Sequence, residues 1–124
     1  NIIVSAVLTR DGLESRILRL ALTNELRLCL SSAILNEYAE VLARPKFHLN
    51  KAVRQQILAG LEHAAIFTAP SRRLLISPDP EDNMFLECAE AARADYLITG
   101  NLRHFPSEWK QTHVVSSRQF LTSI

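Results

Sequence analysis

Asp79-Pro80-Glu81-Asp82-Asn83-Met84-Phe85 places three carboxylates within four residues, and it runs through Leu86–Asp95 into Tyr96-Leu97-Ile98-Thr99-Gly100-Asn101. The pattern reads as a helix that opens on acids, then a short buried strand ending in a polar turn, so acidic side chains collect near the rim of a sheet. Hard divalent ions such as Mg²⁺ or Mn²⁺ take oxygen ligands and keep several waters, so a few carboxylates from separate elements suffice to hold one. Glu37, at the border of the apolar face made by Ile34, Leu35, Tyr38 and Leu42, and Asp82 are the two candidates. An ion held there would lower the pKa of a bound water and offset charge building on a phosphate, which suits phosphodiester hydrolysis.

Each residue also has a purely structural explanation. A glutamate flanking a helix core stripe needs no further role. With Asp79 as N-cap and Pro80 at the first helical position, Asp82 falls at the third, where a carboxylate favours the positive helix end. Taken one at a time, the local physics favours structure for Asp82 and leaves Glu37 balanced. It is their combination with a sheet rim that points to a metal.

The elements that must position them follow from periodicity. Asn1–Leu8 is apolar and β-branched, compatible with a strand or a buried helical turn. Leu13 to Asn24 repeats apolar residues at helical spacing, and Leu26–Leu30 reads as a strand. A second helix is expected from about Ala33 to Ala43, capped by Ser31 or Ser32 and ended by Arg44-Pro45. Lys51 to Ala64 makes a third helix with Asn50 as cap, and Ala65–Thr68 a short strand. After the acid-headed helix, Pro80 to Ala94, come a strand at Tyr96–Thr99, a loop Gly100–Pro106, a strand at His113–Ser116 and a closing helix from Ser117. Strands alternating with helices imply one α/β domain with parallel pairing and helices on both faces.

At 124 residues, 48% apolar, with 3 Gly and 5 Pro, the chain suits one ordered core and not a low-complexity segment. Cys29 and Cys88 lie in apolar runs with no paired ligand pattern, which argues for buried free thiols and against zinc or a disulfide. No apolar stretch reaches the length a bilayer requires and no secretion signal opens the chain, so a cytoplasmic location is expected. The net charge of +1 hides segregation: Val41–Leu61 holds four Lys or Arg and no acid, whereas Asp79–Asp95 holds six acids and one base. Either run could be a solvated helix face; together they also fit an acidic metal site beside a surface that grips a nucleic-acid backbone.

Three segments, Leu35-Asn36-Glu37-Tyr38-Ala39-Glu40-Val41-Leu42-Ala43-Arg44-Pro45-Lys46-Phe47, Asp79-Pro80-Glu81-Asp82-Asn83-Met84-Phe85 and Ala94-Asp95-Tyr96-Leu97-Ile98-Thr99-Gly100-Asn101-Leu102-Arg103-His104-Phe105-Pro106, resemble the successive signatures of PIN-domain proteins. They are most similar to the branch of toxin components of toxin–antitoxin systems related to VapC-type ribonucleases. The resemblance implies a three-layer parallel sheet flanked by helices, and an endoribonuclease whose acids hold Mg²⁺ or Mn²⁺ at the C-terminal edge of that sheet. It also implies RNA as substrate, a small antitoxin protein as partner, and a homodimer. Glu37 matches the family's helix glutamate and Asp82 the aspartate of its acidic turn. Asn1 and Ser5 match the polar positions just after the family's first aspartate, and Thr99 the strand-end residue of the pocket.

Two departures accompany the resemblance. The family opens with a hydrophobic strand ending in Asp-Thr-Asn, whereas this chain begins at what matches the Asn. The expectation is therefore an N-terminally truncated PIN-like domain over 1–124, a fragment lacking its first strand and metal-binding aspartate, with Asn1–Leu8 following as a helix. Asn101 stands where many PIN nucleases carry another aspartate, and an amide brings no negative charge to a metal. Arg103 and His104 either contact RNA phosphate or only cover the loop. A catalytically weak or inactive module that binds RNA or an antitoxin is thus the alternative reading. A phosphoacceptor receiver domain would need an acidic pair at the first strand and a strand-end acceptor aspartate, and neither is present.

Overall fold

The computed structural model describes residues 2–8 and 11–124. Among the described residues six α-helices and five short strands follow one another along the chain. Helix α1 (Ile2–Leu8) packs against α2 (Leu13–Leu22), and its Ile3 and Val4 are buried. The β-branched run Ile2-Ile3-Val4 is therefore helical, because its apolar face is covered by the helices around it and tertiary burial overrides propensity. Helix α3 (Ser32–Leu42) starts where the Ser31 hydroxyl accepts the Ile34 N–H at 3.3 Å, and α4 (Lys51–Ala64) where Asn50 Oδ1 accepts the Val53 N–H at 2.8 Å. Helix α5 (Pro80–Ala92) is capped by Asp79, whose Oδ1 accepts the Glu81 N–H at 3.0 Å, with Pro80 in the first turn. It ends two residues short of the expected Ala94, because Arg93 adopts the left-handed conformation at φ 53°. Helix α6 (Ser117–Ser123) opens on a reciprocal capping box between Ser116 and Gln119.

The strands form two small sheets and not the single parallel sheet expected from the sequence. Strands β1 (Cys29–Leu30) and β2 (Ile66–Phe67) pair in parallel, with Cys29 opposite Ile66 and Leu30 opposite Phe67. In the second sheet β5 (Thr112–Val115) lies between β3 (Tyr96–Ile98), parallel to it, and β4 (Glu108–Trp109), antiparallel. The hairpin joining β4 to β5 turns at Lys110, φ 55°, which supplies the left-handed residue without a glycine. That is why no turn signal revealed it. Among the described residues no strand joins β1 to β3, so each keeps one unpaired edge.

Helix α5 lies against both sheets, contacting β1 and β3. Its Cys88 joins a core of Ile3, Leu30, Ile34, Tyr38 and Leu61, while Leu86 and Ala89 join Leu74, Leu97 and Val114. Phe85 touches both clusters, and its ring meets Tyr38 of α3 with centroids 6.5 Å apart. Burying Leu86, which is 0% exposed, contributes roughly 1.5–3 kcal/mol of transfer free energy and presses α5 onto the second sheet. The Tyr38–Phe85 contact ties α3, which carries Glu37, to α5.

Candidate active site

The acids at the head of α5 are held by a folded-back loop that the sequence did not suggest. Asn83, 3% exposed, accepts the backbone N–H groups of Ile76 and Ser77 on its Oδ1 at 3.2 and 2.8 Å, and its Nδ2 donates to the Ser77 carbonyl at 2.8 Å. The Ser77 hydroxyl then donates to Asp82 Oδ2 at 3.1 Å, and His104 Nδ1 stands 3.2 Å from the same oxygen. Asp82 is thus aimed by two partners on one oxygen, while among the described residues Oδ1 has no hydrogen bond. The structural account of Asp82 as a helix-end acid does not require these contacts.

Glu37 lies one turn into α3 and makes no hydrogen bond or ion pair among the described residues. Partial burial pushes its carboxyl above the ordinary glutamate value, and the negative charges of Glu81, Glu40 and Asp79 push it further, with Arg44 opposing. Residues 37, 79 and 81, distant in sequence, therefore share one electrostatic neighbourhood. An oxygen-rich, mutually repelling cluster of this kind fits a hard divalent cation in donor type and charge. Of the two expected ligands only Glu37 belongs to this cluster, Asp82 not being among the charges that act on it, and among the described residues no three His, Cys, Asp or Glu side chains converge to hold one ion.

The other predicted residues line a cleft of about 760 Å³ at the carboxyl ends of β3 and β5, where open α/β sheets bind ligands. Thr99, Asn101, Arg103 and His104 all face it. Thr99 is pinned: its N–H donates to the Val115 carbonyl at 2.9 Å, and its Oγ1 accepts the Asn101 N–H at 3.0 Å. This fixes the polar turn and leaves the Asn101 amide without a side-chain partner among the described residues. Ser5 sits half-buried on α1 and is not part of this cleft, and Asn1 lies outside the described residues. The structure joins Asp82 to His104 directly and Glu37 to the acidic turn electrostatically. Sequence reasoning missed Ser77, Asn83, and the cleft residues Glu14 and Arg118. For Asn83 a signal existed, since an Asn three residues before Leu86 falls on the buried face of the helix; Arg118 depends on a strand pairing that no local pattern encodes.

Acidic side chains at a helix head beside a polar cleft at strand carboxyl ends make an α/β domain with a concave polar site of the kind in which such folds bind ligands. The family model described as PIN domain matches residues 1–103, and the chain belongs to the PIN-domain family. Members of this family are nucleases, typically metal-dependent, and act on nucleic acid. Searches of curated proteins and of solved structures return no match to this chain. No helix among the described residues is long and apolar enough to cross a membrane.

Proposed function

We propose that this PIN-domain chain is an Mg²⁺- or Mn²⁺-dependent endoribonuclease of the VapC-like toxin type, hydrolysing phosphodiester bonds in single-stranded RNA. The observation that carries the reading is geometric: Asp82 at the head of α5 is held by Ser77 and by His104, and His104 also lines the polar cleft at the carboxyl ends of β3 and β5. Glu37 and Asp82 are the residues that would hold the ion. When bound, such an ion acidifies water and offsets charge on a phosphate under attack.

The remaining roles belong to the chain's own side chains. Ser77 and His104 keep Asp82 in one orientation, as outer partners do for metal-binding carboxylates. His104, whose Nδ1 stands 3.2 Å from Asp82 Oδ2, lines the cleft beside Arg103, where the two meet RNA phosphate. Thr99 holds the turn that presents Asn101 to the pocket. We place the chain in the cytoplasm as a homodimer blocked by a small antitoxin.

Two features favour the alternative of a weak or inactive module that holds RNA or an antitoxin: Asn101 brings no charge, and the described carboxylates do not form a group of three. The deciding experiment is cleavage of single-stranded RNA with Mn²⁺ or Mg²⁺. Metal-dependent cleavage that chelator abolishes, and that Glu37→Gln and Asp82→Asn each eliminate, supports the nuclease. Undiminished cleavage by both variants refutes the assigned residues.

A further inference from the structure

The cleft has a second wall. Strands β3 and β5 run parallel with Ile98 opposite Val115, so the segments that follow them, Thr99–His104 and Ser116–Arg118, leave the sheet side by side. Arg103 from the first segment and Arg118 from the second thereby face one cleft 15 positions apart in sequence. Neither forms an ion pair among the described residues, in contrast to Arg72, which is locked onto Glu90 by two hydrogen bonds of 3.0 and 2.6 Å. Among the described residues Glu14 of α2 is the one carboxylate lining the cleft, against two arginines. A volume of about 760 Å³ admits a nucleotide-sized group.

His104 fixes where this cleft lies relative to the acidic centre, because it lines the cleft while its Nδ1 contacts Asp82. We propose that Arg118, together with Arg103, forms a subsite for a phosphate of the single-stranded RNA substrate next to the one cleaved. The inference rests on the nuclease reading and adds to it a residue from the closing helix. Two guanidinium groups lining one cleft suit a phosphodiester, whose oxygens accept their hydrogen bonds and carry the opposite charge. Arg118 makes no contact with the acidic centre, so its contribution is to binding and register.

The test is binding of a short fluorescent single-stranded RNA in chelator, read by anisotropy across a salt series, alongside Mn²⁺-dependent cleavage by the unmodified protein. Arg118→Gln is expected to weaken binding roughly tenfold and to lower the slope of log affinity against log salt by about 0.7, the loss of one single-strand phosphate contact. Arg118→Lys retains the slope. Arg73→Gln, which removes an equal charge from an exposed position outside the cleft, leaves affinity and slope unchanged. If Arg118→Gln binds like the unmodified protein, the subsite is overturned, whether or not RNA is cut. If binding depends on Arg118 but no metal-dependent cleavage occurs, the subsite stands and the nuclease reading falls.

Discussion

Replacing Asn83 by alanine tests the account of how the acidic turn is held. The substitution removes three hydrogen bonds, those to the Ile76 N–H, the Ser77 N–H and the Ser77 carbonyl. Ile76 is 41% exposed, so water can satisfy its N–H; Ser77 is 6% exposed, so its two backbone groups stay buried without partners. At roughly 1–3 kcal/mol for each orphaned group, offset by local relaxation of the loop, the expected loss is about 2–4 kcal/mol. For a chain of 124 residues that corresponds to a Tm lower by roughly 6–16 °C, measurable by circular dichroism or calorimetry. Asn83→Asp adds an internal control. One carboxylate oxygen can still accept both N–H groups, but the other faces the Ser77 carbonyl, and burial disfavours the ion. The folded-state pKa of that aspartate is then raised above its unfolded value. The variant therefore gains stability relative to the parent as pH falls through the raised pKa, because the neutral acid donates a hydrogen bond to the carbonyl. A loss below about 1 kcal/mol in Asn83→Ala, or an Asn83→Asp deficit that does not shrink at acidic pH, would refute the reasoning.

Glu37→Gln is expected to raise the Tm in chelator at pH 7 by about 1–2 °C, since it removes a carboxylate facing like charges. The folded pKa of Glu37 lies above the unfolded one, so its destabilising effect is fully present above the raised value and vanishes below the unfolded value. The advantage of the variant should accordingly disappear as pH falls through the carboxylate range, and thermal melts across pH check this. Adding Mn²⁺ should stabilise the unmodified protein and not the variant, which a melt with and without the ion reads directly. Leu86→Ala, at a position 0% exposed beneath α5, should cost about 2–5 kcal/mol, whereas Leu75→Ala, at 94% exposure, should stay within about 0.5 kcal/mol by denaturant titration.

Helix heads were the most legible part of the sequence. Ser31, Asn50 and Asp79 each cap the helix expected of them, because capping is a local hydrogen bond between residues two or three apart. Local pattern left Ile2–Leu8 open, since six apolar residues around Ser5 carry no information about which neighbour covers them; it was the family resemblance that gave the helix observed there. The antiparallel β4 was missed for a related reason: Lys110 takes the left-handed turn that a glycine usually signals. At the site, the acidic turn and the Thr99–His104 loop could be found because each is contiguous. The Asp82–His104 contact spans 22 positions and the Arg103–Arg118 cleft depends on β3 pairing with β5, so only the tertiary structure reveals them.

The central claim is that Glu37 and Asp82 share a divalent cation. Titrating ¹⁵N-labelled protein with Mn²⁺ reads it without recourse to activity, because the ion broadens amide signals within its reach. The account predicts that signals around Glu37 in α3 and those of Glu81–Asn83 in α5 fade together at the same low ion concentration, and that Glu37→Gln and Asp82→Asn each abolish both. Broadening confined to one of the two helices, or persisting in either variant, would contradict it.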